Sequence, residues 1–468
     1  MNAIDHAAQI RCILDRQRAA SVSRAPWSAE ERTALIDRAI GLLVDHEAAL
    51  VEALSADFGH RSPDFSRMID ILASLVDLKF NKANLAGWMT PEARATSRGE
   101  SWVHYQPLGV IGIVAAWNFP VFLAFSGLAG ALAAGNRVMI KVSEFNPHTS
   151  ALLARIFPLA FSEDEVAIVT GGPEVGQSFC SQPFDHLLFT GASSIGKHVM
   201  RAAAENLVPV TLELGGKSPT IVSRSTDLAK AVGKIFAGKL GNAGQICLAP
   251  DYVFVPEESM ADFVALARST VATLYPTLRD NPDYTSIVNA RHYARLRGYL
   301  SEARDSGVEL VELNPAGEDF ANQPHHKLAP TLLLNPGDAL AVMQDEIFGP
   351  LLPVKPYRQI DEVIAFINAR PRPLGLYYFG TDTAEEALVL ERTVSGGVTL
   401  NDVLRHAGAE NLPFGGVGNS GMGCYHGRDG FRTFSHARAV LRAADKPDLM
   451  RPPFSDPVRQ IVKSMIAR

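Results

Sequence analysis

Little in this chain suggests a covalent or metal-built scaffold. Its 468 residues include four cysteines, Cys12, Cys180, Cys247 and Cys424, and no two share a C-x-x-C spacing. A chain of this length has enough core without disulfide staples, so reduced thiols in a cytoplasmic setting are the expectation. There are thirteen histidines but no H-E-x-x-H, and no metal site is expected. An excess of positive charge is also missing. The formal net charge is −6, which offers no basic face to nucleic acid. The basic residues between Arg428 and Arg438 alternate with apolar and acidic ones and read as a solvated face. The first twenty residues carry Asp5, Arg11, Asp15, Arg16 and Arg18 and lack the apolar core of a signal peptide. No internal repeat or low-complexity segment appears.

One stretch is uncharged for long enough to mislead. From Tyr105 to Asn136 there is no Asp, Glu, Lys or Arg. A membrane span needs about 20 consecutive apolar residues. Here Asn118 and Pro120 interrupt the run, and Gly109, Gly112, Gly127, Gly130 and Gly135 punctuate it. A strand, a tight turn and a buried helix fit better. The segment from Pro457 to Arg468 has apolar residues at helical spacing but is short and basic, and is expected to dock rather than to associate with a membrane.

Hydrophobic residues make up 47% of the chain, so large cores are available to two or three domains. Ser28-Ala29-Glu30-Glu31 is a capping box ahead of Leu35, Ile36, Ala39, Ile40, Leu43 and Val44, a helical pattern. From Leu108 to Glu213 strands alternate with helices. Val110–Ala116, Arg137–Lys141, Val166–Val169, His186–Phe189 and Val208–Glu213 read as strands. Pro120 and Pro147 suit first helical turns, and Ser193–Asn206 reads as a helix. This rhythm predicts a parallel sheet covered on both faces. Ligands of such sheets bind beyond the carboxyl ends of the strands, where Asn118, Lys141, Gly171, Gly191 and Glu213 fall. A second α/β pattern follows Gly216.

Cys247 lies 34 positions after Glu213. A thiol attacks a carbonyl as thiolate, and a carboxylate can accept a proton from the thiol or from a hydrolytic water. The pair therefore suits acyl chemistry through a thioester, although a single cysteine is more commonly a small buried hydrophobe. Gly191-Ala192-Ser193-Ser194-Ile195-Gly196-Lys197-His198 approaches the G-x-x-x-x-G-K-[ST] loop, but His198 replaces the magnesium-binding hydroxyl. A glycine turn opening a helix can still hold a pyrophosphate on free N–H groups, which makes a dinucleotide a good candidate. The chain is read as lacking G-x-G-x-x-G, the common dinucleotide fingerprint.

Trp117-Asn118-Phe119-Pro120, Lys141 with Glu144, Phe189-Thr190-Gly191, Glu213-Leu214-Gly215-Gly216-Lys217, Gly244-Gln245-Ile246-Cys247 and Glu346-Ile347-Phe348-Gly349-Pro350 resemble, in order, the signature blocks of the aldehyde dehydrogenase superfamily. The run Leu412 to Gly423 resembles its class 3 branch, which includes fatty-aldehyde and coniferyl-aldehyde dehydrogenases. The resemblance implies an α/β fold with a Rossmann-type dinucleotide-binding domain at 1–85 and 108–213. A catalytic domain at 214–404 and bridging or oligomerisation segments at 86–107 and 405–468 would complete it. It implies NAD(P)-dependent oxidation of a hydrophobic aldehyde, aromatic or medium to long aliphatic, to the acid. Cys247 would be the nucleophile, Glu213 the general base and Asn118 the oxyanion donor. Trp117, Lys141, Glu144, Thr190, Gly191, Gly196, Glu346 and Phe348 would hold the cofactor. Glu144 would favour NAD by binding a free 2′-hydroxyl, while NADP stays possible. Two residues depart from the pattern: Val142 stands in place of the usual Pro, and Ala192 in place of Ser. Alternatives are a CoA-acylating relative and a non-catalytic NAD-binding one. By the same resemblance, Arg98–Gln106 and His436–Arg442 would be oligomerisation strands of a homodimer.

Overall fold

The computed structural model describes residues 6–96, 98–444 and 452–467. The capping box forms as expected. Ser28 accepts from the Glu31 amide, the Glu31 carboxylate accepts from the Ser28 amide, and the helix runs Ala29–Asp45. The uncharged stretch resolves into the strand Val110–Val114 and the helix Pro120–Ala134. Thirteen of that helix's residues are buried. Its small residues are what let it lie flat on the sheet, since a Cβ at Gly127 would stand 2.9 Å from Leu188 Cδ2 and 3.0 Å from Ile113 Cδ1. Gly135 closes it in the left-handed region at φ 88°. The buried guanidinium of Arg32 donates to the Ala133 carbonyl at 2.9 Å and covers the helix end.

Five parallel strands and one short antiparallel strand make the first sheet. Its spatial order is Gly421–Met422, Val210–Glu213, His186–Thr190, Val110–Val114, Arg137–Lys141 and Val166–Val169. Numbering the parallel strands along the chain gives the order 3-2-1-4-5. The direction of winding reverses between the first and fourth strands, which is where such sheets bind ligands. The register brings the carboxyl ends level: Val114 pairs with Lys141 and Phe189, Lys141 with Val169, and Thr190 with Glu213. Helices between Ala29 and Met89 and the helix Pro120–Ala134 share one continuous core with it, while the helix His6–Val22 packs through Ile10 and Leu14 in a second core.

The second sheet has seven strands between Pro219 and Leu400, all parallel except Glu309–Glu312. The third is a small antiparallel sheet. Gly99–Pro107 pairs along its whole length with Ser435–Ala443, from Gly99 opposite Ala443 to Pro107 opposite Ser435. Both strands lie within a residue or two of their expected positions. Two features differ from expectation. Gly421–Met422 pairs with Leu212 and Glu213 and so completes the first sheet rather than a bridging segment. The final helix, Asp456–Ile466, buries none of its residues in this chain. Its apolar positions Ile461, Val462, Met465 and Ile466 face outward, so the expected docking does not occur within the chain. Among the described residues no helix is long and apolar enough to cross a membrane.

Candidate active site

A cavity of about 2180 Å³ lies between the two larger sheets. That exceeds the 300–1,000 Å³ or so typical of a single small ligand. It is lined by Trp117, Asn118, Lys141, Glu144, Thr190, Gly191, Glu213, Cys247, Glu346 and Phe348. Gly196, also expected at the cofactor, is absent from this wall. It is buried in its helix, where a Cβ would stand 2.8 Å from Leu214 Cδ2, so the helix packs closely on that segment.

The Cys247 loop is built by strain and held by hydrogen bonds. After the helix Leu228–Leu240 the chain turns through Asn242 (φ 49°), Ala243 (φ 52°) and Gly244 (φ 75°). Two consecutive non-glycine residues in the left-handed region cost about 1–3 kcal/mol each and persist only where neighbours fix them. Gln245 does the fixing. Its Nε2 donates to the Asn242 and Ser286 carbonyls at 2.9 and 3.0 Å, and its Oε1 accepts from the Val288 amide at 3.0 Å. A Cβ on Gly244 would stand 2.3 Å from the Gly349 carbonyl, so the loop also rests on the Glu346–Pro350 segment.

Asn118 is not a helix cap. The cap position before Pro120 is Phe119, and it makes no side-chain capping bond. Asn118 is 4% exposed. Its Nδ2 donates to the Gln245 carbonyl at 3.2 Å, two residues from the thiol. Asn242 Nδ2 donates in turn to the Asn118 carbonyl at 3.2 Å. The amide is therefore tied to the Cys247 loop and not to its own helix.

Three titratable groups converge there. Cys247 is half-buried. Burial raises its thiol well above the usual range, and the nearby Glu346 and Glu213 charges raise it further. Glu213, the last residue of its strand, is 3% exposed. Neither of its carboxyl oxygens has a partner. Burial lifts it well above its ordinary 4.5. Glu346 is pushed up to about 8, first by burial and then by the Asp251 charge. It lies so close over the Gly215 turn that a Cβ there would stand 1.8 Å from its Oε2. Its segment is anchored from behind: Lys217 Nζ meets Asp251 Oδ2 at 2.5 Å, and Asp251 accepts from the Ile347 amide at 3.1 Å.

The opposite end suits a dinucleotide. The helix Ser193–Ala204 starts after Ala192, which has no side-chain cap, so its first amides are free for an anion. At Gly191 a Cβ would meet Phe189 Cζ at 2.7 Å, so a larger residue in this turn would have to displace that ring. Lys141 Nζ donates to the Val142 carbonyl at 2.5 Å and lies 3.5 Å from Glu144 Oε2. Phe348, at φ 48°, packs its ring 5.2 Å from that of Trp117. The unpartnered Glu346 Oε1 leaves one more acceptor open. These residues fit NAD(P). The G-x-G-x-x-G pattern does occur once, at Gly416–Gly421, but it enters the short edge strand beside Glu213 and opens no helix after a strand.

The pattern of the whole chain agrees with the site. The Aldehyde dehydrogenase family model matches residues 3–440.

The chain belongs to the aldehyde dehydrogenase family.

A probable coniferyl aldehyde dehydrogenase of Caulobacter vibrioides is 52% identical over 474 residues, covering 99% of this chain and 98% of that protein. The coniferyl aldehyde dehydrogenase of a Pseudomonas species is 50% identical over 466 residues, covering 98% and 97%. The substrate-bound state of Staphylococcus aureus AldH superposes with a TM-score of 0.91 at 33% identity over all of both chains. An aldehyde dehydrogenase of Mycobacterium tuberculosis complexed with NAD+ gives 0.84 at 29% identity, covering 94% of this chain and 92% of that one. The fold is that of an aldehyde dehydrogenase, and the enzyme is an NAD(P)-dependent oxidoreductase.

Several lining residues gave no signal in the sequence. His292 lines the cavity beside Trp117, with ring centroids 5.0 Å apart, and burial lowers it to about 4. Tyr425 and His426 also line it. Both lie just beyond the run Leu412 to Gly423, and only the folded chain brings them to the cavity that Cys247 lines.

Proposed function

We propose that this aldehyde dehydrogenase oxidises coniferyl aldehyde and related hydrophobic aromatic aldehydes to their acids, with Cys247 as nucleophile. The observation that carries this reading is the tie between the Asn118 amide and the Cys247 loop, with the unpartnered Glu213 on the same cavity. The names of the two coniferyl aldehyde dehydrogenase relatives and an aromatic wall of Phe65, Phe119, Phe122 and Phe414 support the substrate class.

The Cys247 thiol loses its proton and its sulfur bonds to the aldehyde carbon. Asn118 Nδ2 and the Cys247 backbone amide are the donors available to the resulting oxyanion. One such donor is typically worth about 3 kcal/mol. Bound NAD(P) supplies the hydride acceptor. Cys247 then carries the acyl group as a thioester. Glu213, once ionised, takes a proton from water, and the hydroxide oxygen displaces the sulfur. A carboxyl whose proton affinity is raised by burial is a stronger base once ionised, which suits that task. We assign Trp117, Lys141, Glu144, Thr190, Gly191, Glu346 and Phe348 to the cofactor, with Gly196 supporting the helix that faces it. Glu144 favours NAD over NADP by opposing a 2′-phosphate. The dinucleotide domain comprises 1–85 and 108–213 and the catalytic domain 214–404, with Gly421–Met422 added to the first sheet. The open outer edge of Ser435–Ala443 and the exposed helix Asp456–Ile466 are the surfaces we assign to a homodimer.

A panel of aldehydes scored by kcat/KM with NAD and with NADP tests the reading. Coniferyl aldehyde with NAD is expected at the top. Equal or better turnover of short aliphatic aldehydes would contradict the substrate class. Glu213 argues against CoA as acyl acceptor, and an acyl-CoA product in the presence of CoA would overturn that.

A further inference from the structure

Behind the wall that carries Asn118 lies a charge pair with no access to solvent. Arg61 follows the helix Glu47–Phe58, and Asp70 sits in the π-helical turn Arg67–Leu72. Both side chains are 0% exposed, and Arg61 Nη2 lies 2.7 Å from Asp70 Oδ2. None of the three guanidinium nitrogens has a hydrogen-bond partner, so Nη2 and Asp70 Oδ2 meet as an ion pair alone. Three aromatic faces enclose it instead, Phe58 at 4.9 Å, Phe119 at 5.3 Å and Phe65 at 5.8 Å from their centroids. Phe65 and Phe119 are also cavity walls.

The other oxygen of Asp70 faces the start of the helix Pro120–Ala134. Oδ1 accepts from the Val121 and Phe122 amides, each at 3.1 Å. These are first-turn N–H groups of Pro120–Ala134, the helix that lacks a cap of its own. A carboxylate there satisfies orphan donors and complements the helix dipole. Burying a full ion pair is costly and by itself adds little stability. Such a pair is explained if it fixes a geometry. Asn118 stands between two restraints, the Asp70 cap two residues beyond Phe119 and the Gln245 carbonyl at its side chain.

We infer that Arg61 and Asp70 are positioning residues that brace the start of the helix Pro120–Ala134 so that the Asn118 amide meets the Cys247 loop. The brace rests on the reading of Asn118 as oxyanion donor. It acts through that amide and not on substrate or cofactor.

The test is a cycle of three variants of the full chain: Asp70→Asn, Asn118→Ala and the double variant. Asp70→Asn keeps an acceptor for the two amides but removes the charge opposite Arg61. Its kcat is expected to fall about 10- to 100-fold, the scale of a slightly misplaced catalytic group. KM for NAD and for the aldehyde should stay within about twofold, because neither touches the pair. In the Asn118→Ala background Asp70→Asn should cost nothing further. If Asp70→Asn does not yield folded protein, Arg61→Lys takes its place in the same cycle. A slow Asn118→Ala beside an unimpaired Asp70→Asn overturns the brace and leaves the oxyanion reading intact. Equal losses from Asp70→Asn with and without Asn118 also overturn it. An unimpaired Asn118→Ala overturns the oxyanion reading and the brace together.

Discussion

Glu213→Gln separates the two halves of turnover. The substitution keeps the shape of the side chain and removes the base. Oxidation up to the thioester needs Cys247 and Asn118, so a first equivalent of NADH should form at an almost normal rate. Hydrolysis then lacks its base, a loss typically worth 10²- to 10⁴-fold. Stopped-flow absorbance should show a burst of about one NADH per active subunit and a slow steady state. Stability provides a second readout of the same residue. Folding lifts the Glu213 carboxyl well above its ordinary 4.5 because burial disfavours the charge. Above pH 4.5 the folded chain therefore binds more protons at this residue than the unfolded one. The sign follows: wild-type stability falls as pH rises from about 4.5 through the folded value. Each tenfold rise in proton affinity is worth about 1.4 kcal/mol. Gln has no such liability, so the variant should gain on the wild type in melting temperature between pH 5 and 8. Absence of a burst with unchanged steady-state turnover would refute the base assignment. A melting difference that does not grow with pH would refute the account of its burial.

The remaining predictions concern the thiol, its loop and the cofactor. Cys247→Ala should retain NAD binding by fluorescence titration and lose oxidation; residual NADH formation above a few per cent would contradict the nucleophile. The Glu346 charge raises the Cys247 thiol, and Glu346 itself ionises at about 8. Glu346→Gln should therefore speed alkylation of Cys247 by iodoacetamide above pH 8, and no change there would argue against that coupling. Gly244→Ala should lower stability in urea by at least ~1 kcal/mol, because φ is 75° and the new Cβ would press on the Gly349 carbonyl. Glu144→Ala should raise the NADP-to-NAD ratio of kcat/KM, and an unchanged ratio would remove Glu144 from that role.

The first sheet was legible because its signals are local. Proline at first helical turns, glycine at strand ends and uninterrupted apolar runs marked the five parallel strands between Val110 and Glu213 to within a few residues, while the helix Pro173–Cys180 was not read. The strand order was not, since no local pattern says that 186–190 returns beside 110–114. Asn118 illustrates the same limit. Its position before Pro120 also admits a minor reading as a helix cap, and the bond to the Gln245 carbonyl, 127 positions away, ties it elsewhere. Gly196 looked like a cofactor contact because it sits in a glycine turn, yet its packing partner Leu214 lies on another segment. Nothing in the sequence marks Arg61 and Asp70 as a buried pair, because charged residues are almost never buried unless paired and the pairing is set by the fold. The apolar stripe of Asp456–Ile466 was visible, but a stripe does not name the surface that covers it.

The central claim is a covalent acyl group on one sulfur. Glu213→Gln enzyme, mixed with NAD and coniferyl aldehyde and quenched in acid within the burst, can be digested and read by mass spectrometry. A single acyl adduct on the peptide containing Cys247 is the expected result. An unmodified Cys247, or an adduct on Cys12, Cys180 or Cys424 instead, would contradict it.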